Sequence, residues 1–205
     1  MKIKSGTQLM GLFLLTASMA FAKSPVKPDP KVEAKPSQTE TATFAAGCFW
    51  GSEEFFRKIP GVLEAKVGYT GGTTLNPKYD DMHDGHTGHA ESVEIKFDPS
   101  KVSFNTLMDQ FYKMHDPTTL NRQGNDTGNQ YRSAIFYHGD KQKQEAMAFK
   151  EKVEKSGAWK KPIVTEIAEA KKFWDAEGYH QKYLQKNPGG YDNHYLRKIS
   201  FDTAK

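Results

Sequence analysis

Along the chain the apolar residues change period several times, and each change marks an element. Thr41 to Ala46 is a short apolar run ending at Gly47, a strand candidate. Glu53 to Ile59 carries helix formers, sets Phe55, Phe56 and Ile59 on one side, and stops at Pro60-Gly61. Val62 to Tyr69 alternates, which predicts a strand with Leu63, Ala65, Val67 and Tyr69 on one face, broken by Gly71-Gly72. Glu91 to Phe97 alternates again and ends at Asp98-Pro99. Phe104, Leu107, Met108, Phe111 and Met114 keep helical spacing behind Ser103, a candidate N-cap. Asn121 to Asn129 reads as a polar Gly/Asn loop, Arg132 to His138 as a strand, and Asp140 to Ser156 as a helix closed by Gly157. Ile163 to Ile167 predicts a strand, and Ala176 to Asn187 a short final helix before Pro188-Gly189-Gly190. There is no internal repeat. Strands and helices alternate irregularly, and one pair of strands has no helix between them. The expectation is a single α+β domain, a two-layer sandwich around a mixed sheet, rather than a doubly wound parallel sheet.

The N-terminus has a different texture. Lys2 and Lys4 precede a mostly apolar run from Leu9 to Phe21, and Ala20-Phe21-Ala22 is a small-x-small cleavage pattern. The run is shorter than the ~20 residues needed to span a bilayer. These features predict a signal peptide over residues 1–22 and an exported, periplasmic or secreted protein; an uncleaved interfacial helix is the alternative. No cysteine follows the run, so no lipid or other stable membrane anchor is expected after cleavage. Residues 23–41, with four prolines and four lysines, have too little apolar surface to offset their ordering entropy and read as a linker. The folded domain is then expected over residues 42–200.

The formal net charge of +4 is mostly a property of that N-terminus. Six lysines and three acids lie before position 41, leaving 23 basic and 22 acidic residues in the remainder. Such a balance gives no support for nucleic-acid binding. The 12% aromatic share supplies a real core and excludes wholesale disorder. The single cysteine excludes an internal disulfide framework and any cysteine-built zinc site.

That cysteine, Cys48, lies in Gly47-Cys48-Phe49-Trp50-Gly51, between a strand and a helix. A thiol at a helix N-terminus feels the positive end of the macrodipole, which favours thiolate. Gly47 permits a sharp turn, and Phe49 and Trp50 set apolar faces beside the sulfur. An unpaired cysteine in an exported chain points to a reactive thiol, although a buried structural cysteine has the same signature. Glu91 is the second candidate. Residues of one parity share a strand face, so Glu91 points with Val93, Ile95 and Phe97 toward the core. A carboxyl there has a raised pKa and suits general acid catalysis; fraying at the strand's start would instead let it reach water. Tyr79 and Tyr131, on flanking loops, are candidate donors to a polar substrate oxygen. His83, His86 and His89 have a cation-loop spacing, but Gly85 and Gly88 loosen it and no fourth ligand is apparent, so no metal is expected.

Taken together, Gly47-Cys48-Phe49-Trp50-Gly51, Gly68-Tyr69-Thr70-Gly71-Gly72, Asn76-Pro77-Lys78-Tyr79, Gly88-His89-Ala90-Glu91, His115-Asp116-Pro117-Thr118, Gln123-Gly124-Asn125-Asp126, Gln130-Tyr131-Arg132-Ser133 and Tyr179-His180-Gln181-Lys182-Tyr183 make the chain resemble the A-type peptide-methionine sulfoxide reductases from about Ala42 to Tyr191. The resemblance implies reduction of methionine S-sulfoxide, free or in oxidised proteins, with no cofactor and with a monomer as the expected state. It implies Cys48 as nucleophile and Glu91 as the acid that protonates the departing oxygen. Tyr79 and Tyr131 would bond that oxygen, Phe49 and Trp50 would hold the S-methyl group, and Asp126 would shape the site. The product on the enzyme would be a cysteine sulfenic acid.

The chain departs from many relatives in its tail. Gly189-Gly190-Tyr191-Asp192-Asn193 carries no resolving cysteine, and His83 stands where some relatives have one. An external thiol, either a small one or a thioredoxin- or glutaredoxin-like protein, is therefore expected to reduce Cys48. Two other functions compete: a thiol peroxidase sharing the sulfenic chemistry, and a metal-binding or redox-sensing module built on the histidine loop.

Overall fold

The computed structural model describes residues 39–202. The expected signal peptide and nearly all of the expected linker lie outside the described residues. Strand β1 (Glu40–Ala46) begins one residue before the linker was expected to end. It is followed by α1 (Phe49–Phe56), β2 (Val62–Thr70), β3 (Ala90–Phe97) and α2 (Phe104–Met114). A small hairpin of β4 (Arg122–Gln123) and β5 (Asp126–Thr127) occupies the polar loop. Then come β6 (Ser133–Tyr137), α3 (Gly139–Ser156), β7 (Glu166–Glu169), β8 (Trp174–Asp175) and the one-turn α4 (Tyr183–Lys186).

Six strands form one mixed sheet in the order β7-β6-β1-β3-β2-β8. Only β6 and β7 run parallel; α3 provides the crossover that a parallel pair requires. Burial on both faces explains why β1 reads as an apolar run rather than as an alternating strand. Ala42, Phe44 and Ala46 join Val93, Ile95, Phe97 and Ile135 in the main core, which Phe56 of α1, Phe111 of α2 and Phe149 of α3 cover. Ala45, Ala90 and Ala134 meet Phe136 in a second cluster, where small side chains let Ala168 and Ala170 approach closely. The expected two-layer α+β architecture is therefore the observed one.

Four local expectations are corrected. Helix α1 spans Phe49–Phe56 rather than Glu53–Ile59, because it starts directly after Cys48 and gives way to turns at Phe55–Ile59. Leu63 does not share the face of Ala65, Val67 and Tyr69. A bulge between Val62 and Glu64 makes it the extra residue, and it is 55% exposed. The strand predicted at Ile163–Ile167 starts instead at Glu166, since Val164 donates its N–H to the Pro117 carbonyl at 2.8 Å, outside the sheet. The predicted helix Ala176–Asn187 shrinks to Tyr183–Lys186. Lys182 adopts a positive φ of 55°, and its N–H goes to the Glu53 carboxylate at 2.7 Å instead of to a helical carbonyl.

Phe44 sits at the centre of the main core, fully buried and stacked on Phe56 at 5.0 Å and Phe111 at 5.2 Å. Phe44→Ala is expected to cost about 3–5 kcal/mol in urea unfolding, the range for emptying a buried aromatic site. A loss below about 1 kcal/mol would mean that the site collapses around the deletion.

Candidate active site

Cys48 is the N-cap of α1, the point where β1 hands over to the helix. Gly47 makes the turn at φ 92°, and a side chain there would overlap Gln123. The residue is 8% exposed. The sulfur lies at the first amides of α1. Those of Trp50 and Gly51 face the sulfur and favour thiolate, as the macrodipole argument expects. Burial, together with the negative charges of Glu91 and Asp126, overrides them and pushes the thiol well above its ordinary range. The expectation of a dipole-stabilised thiolate is thus corrected: the resting group is a neutral thiol.

Glu91, at the start of β3, is 2% exposed and does not fray into water. Its Oε2 accepts the Phe49 N–H at 3.1 Å. Burial pushes its pKa up to about 8, against the opposing pull of that hydrogen bond, with the charge of Asp126 adding to the rise. At neutral pH the site therefore holds a protonated carboxylic acid beside a protonated thiol.

Two phenols complete the polar side. The half-buried Tyr79 is pushed up to about 12 by burial and by the charges of Glu91 and Cys48. Tyr131, closing a short 3-10 turn after β5, is raised by burial and by Glu91 and Tyr79. Both remain O–H donors at any working pH. The apolar side is built on Phe49, which is 1% exposed and packs on Tyr69 at 5.8 Å and His180 at 5.1 Å. Trp50 stacks flat on Tyr183 at 3.8 Å and donates its indole N–H to His180 Nδ1 at 2.9 Å.

Asp126 belongs to the polar hairpin and faces the C-terminal tail. Its two oxygens accept from Tyr191 Oη at 3.0 Å and Asn193 Nδ2 at 2.9 Å. The structure thus gathers Cys48, Glu91, Phe49, Trp50, Tyr79, Tyr131 and Asp126 around the N-terminus of α1. A separate concavity of about 440 Å³ on the other side of α1, walled by Phe55, Asp192 and His194, holds none of them.

Several motifs prove to be supports. His115, fully buried, contacts the Phe111 carbonyl and Ser133 Oγ with its two nitrogens, and burial lowers its pKa to about 3. The Asp116 N–H reaches Gln123 Oε1 at 2.9 Å, which seats the Asp126 hairpin against Gly47. His89 spends Nδ1 on the Gly72 N–H and Nε2 on the Thr74 carbonyl, leaving neither nitrogen for a metal. The residues missed in the sequence were His180, Tyr183, Tyr191 and Asn193. His180 and Tyr183 were visible only as members of a matching segment, and nothing local singled out the other two.

Comparison with known proteins bears on this geometry. A family model described as peptide methionine sulfoxide reductase matches residues 40–204. The peptide methionine sulfoxide reductase MsrA of Methanothermobacter thermautotrophicus is 55% identical over 152 residues, covering 74% of this chain and 90% of that protein. The reduced form of Mxr1 from Saccharomyces cerevisiae superposes with a TM-score of 0.75 at 39% identity, covering 82% of this chain and 97% of that one. Mxr1 in complex with Trx2 superposes at 0.54 with 29% identity, covering 82% of this chain and 96% of that one.

The protonation state is open to test. The rate of Cys48 alkylation by iodoacetamide should still be rising steeply at about pH 10, without the half-maximum near about pH 8.5 of an ordinary thiol. A half-maximum at or below about pH 8.5 would show an unperturbed or stabilised thiolate.

Proposed function

The chain belongs to the peptide methionine sulfoxide reductase family, and from that premise we propose how its own residues carry the reaction and how the cycle closes. It is an oxidoreductase that uses thiols to reduce methionine sulfoxide to methionine, a protein-repair reaction. The observation that carries the residue assignment is the bond from the Phe49 amide to Glu91, which holds a carboxyl kept protonated by burial at the same helix start as the only cysteine in the chain.

Cys48 attacks the sulfoxide sulfur while Glu91 delivers its proton to the sulfoxide oxygen. That oxygen is a poor leaving group until protonated, so a general acid matters more here than a pre-ionised nucleophile. The O–H groups of Tyr79 and Tyr131 donate to the same oxygen and stabilise the charge that develops on it. Phe49 and Trp50 hold the S-methyl group on their apolar faces. The attack joins the Cys48 sulfur to the substrate sulfur; the S–O and S–S bonds then break as the hydroxyl passes to Cys48, so the substrate sulfur gains two electrons and leaves as methionine, and Cys48 loses two and becomes a sulfenic acid. The thiol proton replaces the one Glu91 gave up, so no net proton is consumed.

A second cysteine is absent from the chain, so regeneration needs an outside thiol. One thiol attacks the sulfenic sulfur and releases water; a second resolves the mixed disulfide and restores Cys48. The complex of Mxr1 with Trx2 supports a thioredoxin-type donor, and a glutaredoxin-like protein or small thiol would serve by the same chemistry. The S epimer at sulfur is the proposed substrate, free or within oxidised proteins. All the proposed side chains come from one copy, so a monomer suffices. The N-terminal pattern of Lys2, Lys4, the Leu9–Phe21 run and Ala20-Phe21-Ala22 supports export, with Lys23 as the first mature residue.

Incubated without reductant, the enzyme should yield about one methionine per Cys48 from the S epimer alone and then carry a dimedone-reactive sulfenic acid. No methionine from either epimer would overturn the residue assignment, and turnover of hydrogen peroxide in its place would favour a thiol peroxidase. In the same single-turnover format the rate should fall as pH rises through about 8, where Glu91 loses the proton it must donate. Glu91→Gln should be slower by about 100-fold or more and lack that falling limb. An unchanged limb in Glu91→Gln would assign the acid to another group.

A further inference from the structure

Outside the groups that meet the substrate, one carboxylate has both oxygens committed to the walls of the site. Glu177 Oε2 accepts the hydroxyl of Tyr69 at 3.0 Å, and Oε1 accepts the backbone N–H of Tyr79 at 3.1 Å. The two partners differ in how they are held. Tyr69 is fully buried in β2, directly opposite Glu91 in the β2–β3 register, with its ring against Phe49. Tyr79 lies on the long connection between β2 and β3, just before the 3-10 turn Asp80–Asp84. Its half-exposed ring meets His83 edge-on at 4.7 Å and His180 at 4.4 Å, at the border of the cluster that holds Phe49 and Tyr69.

Glu177 itself has a firm base. The Ala176 N–H bonds the Val67 carbonyl at 3.0 Å. Gln181 then grips both polar groups of Val67, accepting its N–H at 3.0 Å and donating to its carbonyl at 2.8 Å. The segment carrying Glu177 is therefore stitched to the same strand that carries Tyr69. Through Glu177 the loop position of Tyr79 is referred to the rigid sheet at Tyr69, the residue that pairs with Glu91.

We propose that Glu177 is a positioning residue for the reduction: by joining the Tyr79 backbone to the Tyr69 hydroxyl, it fixes the direction from which the Tyr79 phenol meets the sulfoxide oxygen. This inference rests on the reading of Tyr79 as a donor to that oxygen. Glu177 touches neither substrate nor Cys48. Its effect passes through the placement of one hydroxyl, and small misplacements of a hydrogen-bond donor are costly in a transition state. Glutamine can keep both links, with its carbonyl on the Tyr79 N–H and its amide donating to the Tyr69 oxygen. Alanine keeps neither.

The test is a double-mutant cycle in single turnover on the S epimer, with E177A, E177Q, Y79F and E177A/Y79F, each checked for a cooperative thermal transition. At saturating substrate E177A should slow the step about tenfold while the half-saturating concentration moves less than about threefold. E177Q should recover most of that loss. On the Y79F background, E177A should add less than about twofold, because the hydroxyl it orients is already gone. Equal slowing by E177A in both backgrounds, or E177Q no faster than E177A, overturns the proposal. A full-rate Y79F overturns the donor reading of Tyr79 itself and takes the proposal with it, a result distinct from the other two.

Discussion

The hydrogen bond from the Phe49 amide to the Glu91 carboxyl is the constraint on which the site depends. A helix offers only a few unpaired N–H groups at its start, and here they are divided between two acids. Phe49 serves the carboxyl of Glu91, and Trp50 and Gly51 serve the sulfur of Cys48. One amide lowers the pKa of a carboxyl but does not offset near-complete burial, so Glu91 remains protonated up to about pH 8. Had the helix begun four residues later, as its composition suggested, neither group would have these donors. The placement of α1 is thus a chemical fact as much as a structural one.

The C-terminal tail is the second determinant. It contains no sulfur, and its polar side chains are spent on holding the site in shape. Tyr191 and Asn193 converge on Asp126, while His194 lies between Asp192 Oδ1 at 2.9 Å and the Ala46 carbonyl at 2.7 Å, directly behind the turn that carries Cys48. A side chain on Gly51 would overlap both Asp192 and His194, so the glycine is needed for this contact rather than for helix geometry. A tail that must carry a cysteine to the sulfenic acid needs freedom to move. One that leaves regeneration to an outside thiol can be pinned, and here it is.

The sheet was largely legible from alternation and from apolar runs, because strand faces are set by side chains that a sequence displays directly. The chemistry was legible where burial followed from parity, as for Glu91. Two of the failures share a physical cause: hydrogen bonds to backbone N–H groups over long sequence distance. Lys182 leaves the helical region because Glu53, 129 residues away, takes its N–H. Val164 leaves the sheet for Pro117. The thiol of Cys48 was misjudged because the helix dipole is visible in a sequence, whereas the desolvation that outweighs it depends on everything packed around the sulfur. The tail was opaque for the same reason, since Asp126 and Tyr191 come together only across the folded domain.

Keeping both reacting groups neutral also suits a site so thoroughly enclosed. An ionised carboxylate or thiolate buried without a full set of partners would destabilise the fold by several kcal/mol. A neutral acid and a neutral thiol carry little of that penalty, so the resting enzyme stores protons rather than charge. In the proposed mechanism the sulfoxide then brings the polarity: its oxygen takes the proton that burial has held on Glu91, and the vacated carboxylate becomes the base that accepts the proton from Cys48. Each transfer moves charge toward a group already equipped with donors, the α1 amides on one side and the two phenols on the other. The same burial that keeps the pair inert in the absence of substrate therefore also keeps on Glu91 the proton that a seated sulfoxide needs.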